Sequence, residues 1–159
     1  MQDLEHSSGL LLHMIGIVMI AGSFLGLYFI QHQFWKLVDT DISKSGALLP
    51  LMKTLPIVIQ LGVLVQIISG IALLHSRSWT FWGQNWLYLK IILVVIAVLN
   101  GILVGKKLGG KIAMQVFSPA PDRAALVVLK GKMRTFNAIQ LILVLAILFL
   151  ATILRIMFS

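Results

Sequence analysis

Cysteine is absent from this chain of 159 residues, which excludes disulfides, thiolate metal sites and thiol redox chemistry. Acidic residues number only five, Asp3, Glu5, Asp39, Asp41 and Asp122, and each falls in a tail or between apolar runs. A proton-coupled carrier usually holds a carboxylate within the membrane, so that mechanism has no carrier here. Zinc and di-iron hydrolysis fail for a related reason: no apolar run offers His and carboxylate at i, i+3 or i, i+4. Charge of either sign is scarce, at 11% of residues against about a quarter in an average soluble domain. A soluble globular protein is excluded with it.

What is present is apolar. Hydrophobic residues make up 59% of the chain, and the mean hydropathy is +1.00. Four runs, at about 10–30, 55–74, 86–104 and 136–154, each reach the roughly 20 residues that cross about 30 Å of hydrocarbon. They carry no alternating polar pattern, so they fit helices that satisfy their own backbone groups rather than barrel strands. The expectation is an all-α membrane protein, with four transmembrane helices in one antiparallel bundle and a single domain over 1–159. The residues before the first run, Met1-Gln2-Asp3-Leu4-Glu5-His6, are acidic rather than basic, and the run exceeds a signal-peptide core. It is read as a retained span.

Loop charge orients the bundle, because Lys and Arg accumulate on the cytoplasmic side. Lys36, Lys44 and Lys53 follow the first run, and Lys106, Lys107, Lys111, Arg123, Lys130, Lys132 and Arg134 lie in the loop 105–134. These are ten of the 13 basic residues, the others being Arg77, Lys90 and Arg155. Both termini are therefore expected outside and both basic loops inside, in a bacterial inner membrane. The net charge of +8 lacks the interleaved aromatics of a nucleic-acid surface, so membrane lipids rather than nucleic acid are the expected partner. Ser118-Pro119-Ala120-Pro121-Asp122 reads as a turn into a short interfacial helix lying on the inner surface.

Small residues mark helix contacts in lipid, where apolar burial gives no preference. Gly22-x-x-x-Gly26 and Gly101-x-x-x-Gly105 have that spacing, and Gly62, Gln66, Ser69 and Gly70 share one face of the second span. Among polar groups, His13 sits about one turn inside the outer end of the first span. It is a candidate axial haem or copper ligand, or else hydrogen-bonds locally. His75 ends the second span on the same outer side, but lies nine residues from Gln66 and so turns away from that face. His6 and His32 fall at or beyond the membrane surface. Lys90 lies one turn below Trp86 in an aromatic belt with Trp79, Trp82 and Tyr88, where it either snorkels or meets an anionic ligand. Gln60, Asn100, Asn137 and Gln140 populate the inner half, with Arg134 opening the fourth span. Interhelical hydrogen bonding is their default role, and a ligand headgroup site the alternative.

In order along the chain come Leu12-His13, Gly22, Ser69-Gly70-Ile71-Ala72-Leu73-Leu74, Lys90 and Arg134-x-x-Asn137. This succession resembles the HemJ-type membrane protoporphyrinogen oxidases and the wider group of four-helix proteins that includes the copper-resistance D domain. The resemblance covers nearly the whole chain. It implies that His13 matches the first-span histidine of a haem site, Lys90 the third-span lysine, and Arg134 and Asn137 the fourth-span motif. Asn100 stands where that family has a second histidine, and Ala138 where it has glutamate, so the fold can carry over without the oxidase chemistry.

Three functions remain in view. One is a protein that binds haem b or a similar hydrophobic cofactor through His13, with Lys90, His75, Arg134 and Asn137 as further binding candidates. Another is a non-catalytic membrane subunit, associating with itself or a partner through Gly22, Gly26, Gly70, Gly101 and Gly105. The third is copper or small-solute transport, with Met14 and Met19 as soft ligands beside His13.

Overall fold

A computed structural model describes residues 2–76 and 84–157, with side chains for 6–76 and 84–150. In chain order its elements are α1 (Gln2–Thr40), α2 (Ile42–Ser45), a 3₁₀ turn (Gly46–Leu48) and α3 (Leu49–Ser76). They are followed by α4 (Asn85–Leu99), a π-helical turn (Asn100–Gly105), α5 (Lys106–Val116) and α6 (Arg123–Met157). Arg77, Trp79 and Trp82, the last two assigned above to the aromatic belt, lie outside the described residues.

Four stretches, His6–Thr40, Ile42–Ser76, Asn85–Val116 and Arg123–Leu150, are long and apolar enough to cross a membrane. Their most apolar windows have mean hydropathies of 2.0 to 2.6, yet only 11% of each window is buried. A protein in water could not leave so much continuous apolar surface uncovered, whereas hydrocarbon solvates it. The chain is a multi-pass membrane protein.

At 28 to 35 residues these stretches overrun the apolar runs. Much of 31–54 and 105–134, expected as loop, is helix. Extending a helix already formed avoids the unfavourable first turn, so modest amphipathicity suffices. In α5 that pattern is plain: Leu108, Ile112 and Val116 are buried at i, i+4 and i+8, while Lys106, Lys107 and Lys111 are exposed. The separate interfacial helix expected after Asp122 is corrected in the same way. Asp122 Oδ1 accepts from the amides of Ala124 at 2.9 Å and Ala125 at 3.2 Å, and the helix it starts continues unbroken from Arg123 to Met157. No proline follows Asp122 to stop it.

The chain divides into two compact units, Met1–Trp82 and Gly83–Ser159. In the first, α1 and α3 run in opposite directions, since Gly9 meets Leu73, Gly16 meets Gly62 and Gln66, and Gly26 meets Leu55. The turn between them is fixed by Asp41, whose Oδ1 accepts from Ser43 Oγ at 2.6 Å and from the amides of Ser43 and Lys44. The Ser43 hydroxyl foremost, then Lys44, hold this exposed carboxyl below its ordinary pKa. Phe34, Val38, Ser45 and Leu49 are buried around this turn.

In the second unit α6 returns along α4 and α5. Gly105 meets the Phe136 ring, and the Asn100 amide reaches Gln140. Farther along, Leu126, Leu129 and Met133 of α6 are buried where it packs on α5.

Candidate functional site in the seam of the first helix pair

The seam between α1 and α3 is built from small residues seven apart. Gly9, Gly16 and Ser23 are buried in α1, as are Gly62 and Ser69 in α3, with Ser76 half-buried one repeat further. A seven-residue repeat keeps one face turned toward the partner, and small side chains let the backbones close. A methyl group built on Gly16 would stand 3.1 Å from the Gly62 carbonyl oxygen, and one on Gly62 would stand 2.9 Å from Ile20 Cγ1. The same test meets nothing within 4 Å at Gly22, Gly70 or Gly101, and ordinary contact at 3.6 Å at Gly26. Among the described residues the tight approaches are at Gly16, Gly62 and Gly105, with Gly9 next at 3.3 Å from Leu73.

His13 lies in this seam. Its Nδ1 is 2.9 Å from Ser69 Oγ, while Ser69 Oγ is 2.7 Å from the Val65 carbonyl oxygen. A carbonyl only accepts, so the hydroxyl proton lies toward Val65, and Ser69 Oγ accepts from His13 Nδ1–H. The neutral ring then carries its lone pair on Nε2. Gln66 Nε2 donates to the His13 carbonyl at 2.7 Å, fixing the backbone as Ser69 fixes the ring. Ser69 is 1% exposed, so the pairing is sheltered from competing water.

One repeat toward the N-terminus the pattern recurs. His6 Nδ1 is 3.1 Å from Ser76 Oγ, and that hydroxyl donates to the Leu73 carbonyl at 3.0 Å. His6, read from sequence as lying at or beyond the membrane surface, is half-buried in α1. The signal was the shared spacing of seven in His6 and His13 and in Ser69 and Ser76, legible only once the two helices are set antiparallel. His75 and His32 are exposed. His75 is thus turned away from the Gln66 and Ser69 face, as its nine-residue offset implies.

In the second unit Lys90 is half-buried on α4 and has no hydrogen-bond or ion-pair partner among the described residues. Near it, Trp86 donates its indole N–H to Gln84 Oε1. Arg134 is exposed and Asn137 half-buried, both close to Phe136 and hence to the Gly105 end of the pair. Lys90 is fifteen positions before Gly105, roughly 22 Å along a helix, so Lys90 and the Arg134 and Asn137 group cannot hold one headgroup together. Between them, Gln140 bridges the helices. It accepts from Asn100 Nδ2 at 3.0 Å and donates to the Ala97 carbonyl at 3.2 Å, at the first residue of the π-helical turn. The Ala97 carbonyl also receives the backbone N–H of Asn100, so Gln140 is its second donor.

Among the described residues no cluster of three His, Cys, Asp or Glu side chains could hold a metal ion. A single imidazole can serve as a haem ligand, and His13 is such a candidate, its ring oriented by Ser69. The seam itself has no room for a macrocycle beside Gly16 and Gly62. No protein family, curated protein or solved structure matches this chain.

Proposed function

We propose that this is a bacterial inner-membrane protein with four antiparallel spans and both termini outside, and that it binds haem b through His13 Nε2. The observation that carries the reading is the donation of His13 Nδ1–H to Ser69, itself anchored on the Val65 carbonyl. A ligating histidine is held in this way, with the second nitrogen engaged so that the first keeps its lone pair for the metal. Bound haem supplies one-electron redox chemistry; the residues of the seam fix the imidazole and exclude water from it.

The test is the visible spectrum of protein purified from membranes with haem available, oxidised and then reduced with dithionite. A Soret band that sharpens on reduction is expected in the native chain and in His75→Ala, and its loss in His13→Ala. A colourless native protein overturns the reading.

A second reading rests on a separate observation, that Gly22 and Gly101 meet nothing within 4 Å among the described residues. Open small-residue positions on apolar helices suit association with another copy or a partner subunit. On this reading Gly22→Leu with Gly101→Leu abolishes crosslinked assemblies in detergent while leaving the monomer folded. Unchanged crosslinking removes it.

A further inference from the structure

The second unit carries a feature that the histidine seam does not use. Where α5 leaves the π-helical turn and packs on α6 lies a cavity of about 260 Å³. Lys107 and Lys111 of α5 and Lys132 of α6 line it, together with Leu103, Val104, Leu108 and Leu129. A second hollow of about 410 Å³ shares Lys111 and Leu129 and continues past Met114, Ala125 and Val128. Charged and apolar side chains are thus interleaved around two neighbouring hollows.

Three cations around one cavity repel one another, and Lys107 and Lys111 are an i, i+4 pair of like charge. Nothing described in the unit offsets them. Its one carboxylate among the described residues, Asp122, is engaged with the amides that open α6, and none of the three lysines has an ion-pair partner. The lysines are exposed, so they stand at the rim, and the floor below them is leucine and valine. Leu103 and Val104 are themselves exposed and belong to the stretch Asn85–Val116, long and apolar enough to cross a membrane. The host therefore asks for a phosphate joined to an acyl chain. A free phosphate or a nucleotide would satisfy the lysines but has no acyl chain to lie on the apolar floor.

We infer that Lys107, Lys111 and Lys132 form a binding site for the phosphate headgroup of an anionic phospholipid, its acyl chain lying along Leu103 and Val104. Lys- and Arg-rich loops mark the cytoplasmic leaflet, where anionic lipids reside, and basic pockets between helices at that depth hold such headgroups. The site lies within one unit and does not depend on His13.

The experiment uses the full chain in neutral detergent with phosphatidylglycerol as probe, read by native mass spectrometry and by titration with a fluorescent phosphatidylglycerol. Lys107→Gln with Lys111→Gln and Lys132→Gln is expected to weaken binding at least about tenfold. A charge-matched control, Lys36→Gln with Lys44→Gln and Lys53→Gln, is expected to bind as the native chain does. The triple arginine variant at 107, 111 and 132 should restore binding, because guanidinium also holds phosphate. Phosphatidylcholine should bind weakly to all of them. Equal loss in the cavity and control variants, or loss in neither, overturns the site. Displacement of the lipid by inorganic phosphate or a nucleotide at equal concentration overturns the assignment to lipid. Unchanged ellipticity of each variant separates lost binding from lost folding.

Discussion

Replacing Gly62 by leucine is expected to unfold the α1–α3 pair. Even a methyl group there would lie 2.9 Å from Ile20 Cγ1 and 3.2 Å from the Gly16 carbonyl oxygen, and that oxygen belongs to backbone that cannot rotate aside. Overpacking by one or a few methylenes destabilises by about 1–3 kcal/mol even where side chains can adjust. A leucine wedge between two backbones exceeds what the seam can absorb. It also separates His13 from Ser69, so the tautomer-fixing bond goes with the contact. The measurement is far-UV ellipticity against increasing SDS mole fraction in mixed micelles. Gly62→Leu should lose the cooperative transition of the first unit, and Gly70→Leu, whose added carbon meets nothing within 4 Å, should keep it. Equal behaviour of the two variants would show that the seam is not what holds α1 to α3.

The second large effect is expected from Gln140→Leu. The amide of Gln140 satisfies Asn100 Nδ2 and the Ala97 carbonyl together, at 3.0 and 3.2 Å. Leucine is of similar bulk but leaves the Asn100 side-chain amide without its acceptor, and inside hydrocarbon no water replaces the lost partner, while the Ala97 carbonyl keeps the Asn100 backbone N–H. An orphaned buried polar group costs about 1–3 kcal/mol, whereas replacing both partners by apolar side chains is nearly neutral. The double variant Asn100→Leu with Gln140→Leu should therefore recover most of the stability lost in Gln140→Leu alone. The SDS midpoint gives the free energies of this cycle, and amide exchange over 100–105 reports whether the π-helical turn persists. Strict additivity of the two substitutions would mean that the bridge does not form in the membrane.

Parts of the site were legible beforehand. His13 stood out as an ionisable group within an apolar run, and Gly62, Gln66 and Ser69 as one polar or small face; the seam joins them. The pairing of His6 with Ser76 was not read, because the histidine lies outside the most apolar stretch and its serine is seventy residues away. Asn100 and Gln140 were both expected in interhelical hydrogen bonds, and they bond to each other. The π-helical turn beside them was not foreseen, since Asn100–Gly105 continues an apolar helical run with no break in its pattern.

The amino-acid order alone dictates how many segments are apolar and long enough to cross, and that the chain belongs in a membrane. Transfer of a side chain into hydrocarbon depends on that side chain and sums along a run, whatever the neighbouring helices do. It also determined that extended helices are needed, because a backbone in lipid must satisfy itself. Which faces meet is settled by the packing of the helices. α1 and α3 are apolar all round, and lipid tails solvate leucine as well as another helix does, so hydrophobicity selects no face. Selection falls to close fit at Gly16 and Gly62 and to single hydrogen bonds such as His13 to Ser69, each made by residues about fifty positions apart.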